Sequence, residues 1–216
     1  MRIGVAALQG AVSEHFEAVR RAAARLGLDV DVVAVRSVAD LASVDGLILP
    51  GGESTTISKL LVRFGLVEAI SDRVAREDFP VLGTCAGMVL LARAGDDQVI
   101  KTHTQLLGLM DMAVDRNAFG RQRESFEATV RFEPGVLEGG ADFPAVFIRA
   151  PMATRVAGTA RVIARHEGRI VAVQDGRRIA LSFHPELTKD DRVHAAFLNL
   201  VQAGRRAAKD PLAQTR

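Results

Sequence analysis

Apolar residues follow two different periods along this chain, and the pattern changes near residue 93. Residues 3–8 form a continuous apolar run ending at Gln9-Gly10, as expected of a strand buried on both faces of a parallel sheet. Over 13–26 the spacing becomes helical, with Phe16, Val19, Ala23 and Leu26 three or four apart and Gly27 as the stop. Strands are expected at 30–35 and 44–49. The second closes on Pro50-Gly51-Gly52, after which Ser54 reads as the cap of a helix running toward Phe64. A helix over 66–77, a short strand over 79–83 and a helix opening at Thr84-Cys85-Ala86-Gly87 and continuing through Leu91 complete this half. Strands alternating with helices imply a parallel sheet with right-handed crossovers.

Beyond Arg93, residues 94–105 are polar and read as loop. Strand patterns then recur at 107–114, 125–132, 144–148, 160–166, 169–174 and 178–183, with little helix between them. Glu167-Gly168 and Asp175-Gly176 are hairpin signals. A last amphipathic helix is expected over 190–203, with Val193, Phe197, Leu200 and Val201 on one face. From Gly204 the chain is polar and is expected to fray. The reading is one α/β domain over 1–203 followed by a tail at 204–216.

Composition narrows the classes of function. In 216 residues, 48% are hydrophobic and 25% charged, enough to bury a real core. The net charge of +2 is spread along the chain and there is no Trp or Tyr, so nucleic acid is not an expected partner. No apolar run approaches the roughly 20 residues that span a bilayer, so no membrane association is expected. The N-terminus reads as a first strand rather than a signal peptide. The lone cysteine, Cys85, cannot pair within the chain, which fits a reducing, cytoplasmic setting.

That cysteine lies in Gly83-Thr84-Cys85-Ala86-Gly87, between a buried strand and a helix: the glycine-flanked nucleophile elbow with Cys in place of Ser. The flanking glycines leave room for a strained turn and for close helix packing. The sulfur then projects at a helix N-terminus, where the dipole favours a thiolate, and the Ala86 N–H is free to hold an oxyanion. As a bare hydrophobe Cys85 would need no such setting. In Phe183-His184-Pro185-Glu186 the residue before proline is held extended, so His184 and Glu186 project to one side, suited to a base and its orienter. Pro50-Gly51-Gly52-Glu53-Ser54 reaches the same sheet edge. It lacks the lysine-bearing phosphate-loop pattern, and Gly52 reads as a second oxyanion donor. The five histidines show no metal-ligand spacing with each other or with Cys85, so no metal is expected. His15 reads most simply as a residue of a helix's polar face.

These motifs resemble the class I glutamine amidotransferase family, and within it the glutaminase subunits of pyridoxal 5'-phosphate synthases. The likeness extends through Leu8-Gln9-Gly10-Ala11-Val12, the run from Leu47 to Thr56, Arg116-Asn117-Ala118-Phe119-Gly120-Arg121-Gln122, Phe147-Ile148-Arg149-Ala150-Pro151 and Ser182-Phe183-His184-Pro185-Glu186-Leu187-Thr188. It implies a three-layer α/β/α sandwich with a mostly parallel central sheet and a Cys85-His184-Glu186 triad. It also implies L-glutamine contacts from Gly52, Glu53, Ser54, Arg116, Ile148 and Arg149, with no cofactor. The implied partner is a (β/α)8-barrel synthase, joined in a hetero-oligomeric complex, that condenses a pentose phosphate, a triose phosphate and ammonia into pyridoxal phosphate. Gln9 and Gly10, at the mouth of the site, are expected to be linked to that partner.

The expected reaction is glutamine hydrolysis through a glutamyl thioester, with His184 as base and acid. A cysteine peptidase or esterase shares the elbow and predicts activity on peptides or esters. A redox sensor built around Cys85 needs only an oxidisable thiolate and leaves His184 and Glu186 unexplained.

Overall fold

A computed structural model describes residues 1–116, 118 and 125–209. The first half alternates as expected: β1 (Arg2–Ala6), α1 (Val12–Leu26), β2 (Asp31–Val35), α2 (Val38–Ala42), β3 (Gly46–Leu49), α3 (Ser54–Arg63), α4 (Leu66–Glu77), β4 (Val81–Thr84) and α5 (Ala86–Leu91). After β5 (Ala92–Gly95) and α6 (Asp97–Lys101) the chain is mostly extended: β6 (Met110–Asp115), β7 (Ser125–Phe132), β8 (Asp142–Ile148), β9 (Met152–Val156), β10 (Arg161–His166), β11 (Arg169–Asp175) and β12 (Arg178–Leu181). A 3-10 turn at Pro185–Leu187 and α7 (Arg192–Lys209) follow.

One mixed sheet runs β2-β1-β3-β4-β12-β11-β10-β7-β8, with β5, β6 and β9 joining through the β9 to β11 pairing. Its first five strands are mutually parallel, and β12 returns the chain antiparallel into β11. The parallel strands are short and nearly devoid of exposed side chains, because helices cover both faces. One face packs on α1 and α7 through Val19, Ala22, Val193, Phe197 and Leu198. The other packs on α2 to α5 through Leu41, Ile57, Leu61, Ile70 and Met88. The result is the α/β/α layering expected from the sequence. No helix among the described residues is long and apolar enough to cross a membrane.

Several local expectations are corrected. Ser54 is the first helical residue of α3, not its cap; Glu53 caps it, accepting from the N–H groups of Thr55 and Thr56 at 2.9 and 2.7 Å. The polar stretch over 94–105, expected to be loop, contains the end of β5 and the whole of α6, which Asp96 caps through the Val99 N–H at 3.0 Å. The last helix does not stop near 203 but continues through Gly204 to Lys209. Of the segment 116–122, Arg116 and Ala118 alone are among the described residues, and 210–216 lie outside them.

His15 is the most consequential correction. The stripe of α1 that is buried consists of His15, Ala18, Val19, Ala22 and Ala23, so His15 faces the core, while Phe16 is only partly covered. Polarity points outward; the three-four spacing of the small residues behind it points inward.

Candidate active site

Three neighbouring parallel strands bring the chemistry to one sheet edge. Leu47 and Leu49 of β3 pair with Val81 and Gly83 of β4, and Thr84 of β4 pairs with Leu181 of β12. Their C-terminal ends therefore deliver Gly51-Gly52, Cys85 and His184 side by side, as the crevice rule for open α/β sheets requires.

Cys85 is the N-cap of α5 at φ 48° and ψ −103°, a conformation that L-residues seldom adopt. Holding it costs about 1–3 kcal/mol, repaid by surrounding contacts. The Cys85 N–H donates to the Leu181 carbonyl at 2.8 Å, tying the elbow to β12. The flanking glycines are required by space. A Cβ on Gly83 would lie 2.7 Å from the Gly87 backbone, and one on Gly87 would lie 2.2 Å from the Leu49 carbonyl oxygen. Cys85 Sγ lies 3.7 Å from the Ile148 carbonyl at the end of β8.

His184 follows β12 and is anchored by Phe183, which is fully buried among Phe132, Phe143 and Phe147 with ring centroids 5.5–6.3 Å away. Burying such a ring contributes about 1.5–3 kcal/mol. His184 Nδ1 lies 2.7 Å from Glu186 Oε1. Burial pulls the imidazole pKa down, but hydrogen bonds with Cys85 and Glu186 and the charge of Glu186 outweigh it and push it up to about 10. Glu186 is buried, which raises its pKa, yet the neighbouring His15 and the hydrogen bond and charge of His184 leave it below the usual carboxylate range. The imidazole is packed so closely that a Cβ on Gly51 would lie 2.2 Å from His184 Cε1.

Around the sulfur lies a cleft of about 350 Å³. Every residue singled out from the sequence lines it except Glu186, which stands behind His184: Gln9, Gly10, Gly52, Glu53, Ser54, Cys85, Ala86, Arg116, Ile148, Arg149 and His184. Ala11, Gly51, Val89 and Pro151 complete the wall, and no sequence signal marks Val89.

The mouth is a locked pair of loops. Ala11 N–H donates to the Gly51 carbonyl at 3.0 Å, and Gln9 Oε1 accepts from the Glu53 N–H at 2.7 Å. Gly10, at φ 106°, presses against that carbonyl; a Cβ there would lie 1.9 Å from the oxygen. Glu53 is committed to capping α3. Desolvation opposes its ionisation, but hydrogen bonds from Thr55 and Thr56 hold its pKa at about 2.

Arg116 is fixed by parts of the polar stretch around α6. Its N–H donates to Asp96 Oδ2 at 3.0 Å, and its guanidinium reaches Thr102 Oγ1 at 3.1 Å and Glu53 Oε1 at 3.3 Å. Arg149, just after β8, sits at φ 44°, a second strained residue in the cleft wall.

On fold and site together, the chain falls in the amidotransferase class of cysteine-elbow α/β proteins. Within that class it belongs to the SNO glutamine amidotransferase family, whose model matches residues 5–203. The chain is 52% identical over 201 residues to the pyridoxal 5'-phosphate synthase subunit PdxT of Streptomyces griseus subsp. griseus, covering 93% of this chain and 96% of that protein. It is 49% identical to the PdxT subunit of Methanosarcina barkeri, over 93% of this chain and 98% of that one. A crystal structure of a glutamine amidotransferase matches with a TM-score of 0.81 at 41% identity, covering 93% of this chain and 98% of that chain. A putative GMP synthase subunit from Thermoplasma acidophilum, at 19% identity and a TM-score of 0.64 over 97% and 98% of the two chains, shares the fold alone.

Proposed function

We propose that this chain hydrolyses L-glutamine to L-glutamate and ammonia with Cys85, His184 and Glu186, and passes the ammonia to a synthase subunit that makes pyridoxal 5'-phosphate. The observation that carries the reading is the juxtaposition of a strained cysteine elbow with a histidine that keeps its proton at neutral pH, in a cleft open to a small substrate. The sulfur attacks the side-chain carboxamide carbon, and the Gly52 and Ala86 N–H groups hold the oxyanion that forms. His184, already an imidazolium, gives its proton to the leaving ammonia as the tetrahedral species collapses to a glutamyl thioester. The neutral imidazole then takes a proton from water as it attacks the thioester; collapse restores the thiolate beside the imidazolium and releases the product acid, which loses its proton to solvent as glutamate.

Arg116, Arg149, Ser54 and Ile148 line the cleft, and in this reading they receive the substrate's α-amino and α-carboxylate groups, a planar guanidinium being well matched to a carboxylate. That relatives are named as subunits of pyridoxal 5'-phosphate synthase supports the destination of the ammonia and a complex with another subunit, for which we propose a (β/α)8-barrel synthase in a hetero-oligomer. The lone thiol fits a cytoplasmic setting.

The partner reading rests on the mouth. The Gly51 carbonyl is held by Ala11, so the orientation of the Gly51-Gly52 peptide depends on a loop at the start of α1. A partner docking on Gln9, Gly10 and the first turn of α1 would set that peptide, and glycine reorients at little steric cost. The test is glutamate release from glutamine by the purified chain, first by itself and then with the synthase partner. Turnover that rises with the partner and vanishes in Cys85→Ala is expected. Equal rates with and without it would remove the switch but not the nucleophile, whereas turnover by Cys85→Ala would remove the nucleophile.

A further inference from the structure

Behind Glu186 lies a buried polar cluster that the chemistry above does not use. His15 of α1, Thr84 at the end of β4 and His194 of α7 are all fully shielded from solvent. His15 Nδ1 lies 3.0 Å from His194 Nε2, and His15 Nε2 lies 3.1 Å from Thr84 Oγ1 and 3.6 Å from Glu186 Oε2. Two buried atoms of this group lack a hydrogen-bond partner, Glu186 Oε2 and His194 Nδ1.

The protons can be assigned by elimination. A carboxylate only accepts, and each neutral imidazole has one N–H and one lone pair. If His15 carried its proton on Nδ1, its Nε2 lone pair would face Glu186 Oε2, and His194 would have to bury an unpaired Nδ1–H. With the proton on His15 Nε2, that N–H donates to Thr84 Oγ1 and turns its positive end toward Glu186 Oε2, 3.6 Å away, without a hydrogen bond to it. His194 Nε2–H then donates to His15 Nδ1, and the orphan atom is merely a lone pair. Donor counting alone does not choose, because the Thr84 hydroxyl can donate to His15 Nε2 only in the first arrangement; the carboxylate chooses, since only the second sets an N–H rather than a lone pair against Glu186 Oε2.

We propose that His15, held in its Nε2–H tautomer by His194, is a positioning residue for the His184–Glu186 pair: its N–H dipole faces one oxygen of Glu186 and favours the oriented carboxylate whose other oxygen grips His184. The proposal rests on the reading that Cys85, His184 and Glu186 carry the chemistry. Burial keeps both histidines neutral, His194 with a pKa lowered to about 3. The charged groups acting on them are Glu186 and His184 after β12, together with Glu14 and Arg21 on α1 itself. Because α1 begins at the cleft mouth, His15 also ties the partner-facing loop to the carboxylate behind the base.

The test is glutamine hydrolysis with the synthase partner present, over a range of pH, by His15→Phe, His15→Gln, Glu186→Gln and the double variant His15→Phe/Glu186→Gln. His15→Phe is expected to lower kcat about fivefold, the effect of removing a polar group that faces a buried carboxylate without bonding it, with KM nearly unchanged. Its acid limb should move to higher pH, because a Glu186 that no longer faces the His15 N–H takes up a proton more readily. His15→Gln, which keeps an N–H, should recover part of both effects, and in the Glu186→Gln background His15→Phe should add no further loss. An unmoved acid limb, or full additivity in the double variant, would overturn the proposal while leaving the triad standing. Wild-type turnover by Glu186→Gln would overturn both. If thermal unfolding shows His15→Phe to be unfolded, His194→Phe carries the same comparison, since His15 then loses the donor that fixes its tautomer.

Discussion

Cys85 and His184 are each held where they would not rest alone, which is what the proposed chemistry asks of them. The cysteine backbone is strained, and the imidazole is buried yet keeps its proton. Triad members act as a unit, so His184→Asn should abolish glutamine turnover as completely as Cys85→Ala, while Glu186→Gln should lose less. The His184 pKa, raised from 6.5 to about 10, gives the sign of the pH dependence. Its protonated form contributes stability that is fully present below about pH 6.5 and is lost as pH rises through about 10. The alkaline limb of turnover should accordingly fall near pH 10. A limb near 6.5 would mean that His184 is not paired as described.

At the scale of elements, the precision of the site comes from backbone meeting side chain without clearance. Gly51→Ala would drive a Cβ into the His184 ring. The expected result is a loss of turnover on the order of a hundredfold, the cost of a displacement of about 1 Å in a catalytic group, with a folded protein by circular dichroism. Full activity in that variant would show the ring to have room the structure denies it.

The strands and helices that build this edge were legible because a strand covered on both faces reads as an unbroken apolar run, and because the elbow's glycines have a steric cause. The first helices were legible too, although α1 was turned by about one position. What escaped were short or half-exposed elements. Helix α2 has five residues, and its signal was a Ser37 to Asp40 capping box rather than periodicity. Strand β5 is exposed at Arg93 and Ala94, and α6 announces itself only by Asp96. Arg116 could be assigned through resemblance alone, since its placement depends on Asp96 and Thr102, which no local pattern links to it.

For the molecule as a whole, the buried histidines set its behaviour in acid. His194 has a folded pKa of about 3 and that of His15 is also lowered, so below about pH 6.5 the unfolded chain binds protons that the folded one refuses. The contribution of these two histidines is therefore intact above 6.5 and falls as pH drops toward 3, by up to about 1.4 kcal/mol per pH unit for each group. The lowered pKa of Glu186 acts in the same direction in stronger acid. Urea midpoints should decline from pH 7 to pH 5, and His194→Phe should make that decline shallower. An unchanged slope in the variant would assign acid sensitivity elsewhere.

The order of strands has a further consequence, for how the protein comes into being. Strand β12 lies directly beside β4, yet everything from α5 to β11 separates them along the chain. Closing so long a loop must precede any contact between Cys85 and its histidine, and such non-local pairing is slow. A chain emerging from the ribosome carries its cysteine long before β12 exists to complete the elbow's hydrogen bond to Leu181. On the proposed chemistry the thiol thus spends synthesis without its base, and one of the last strands to arrive switches its reactivity on.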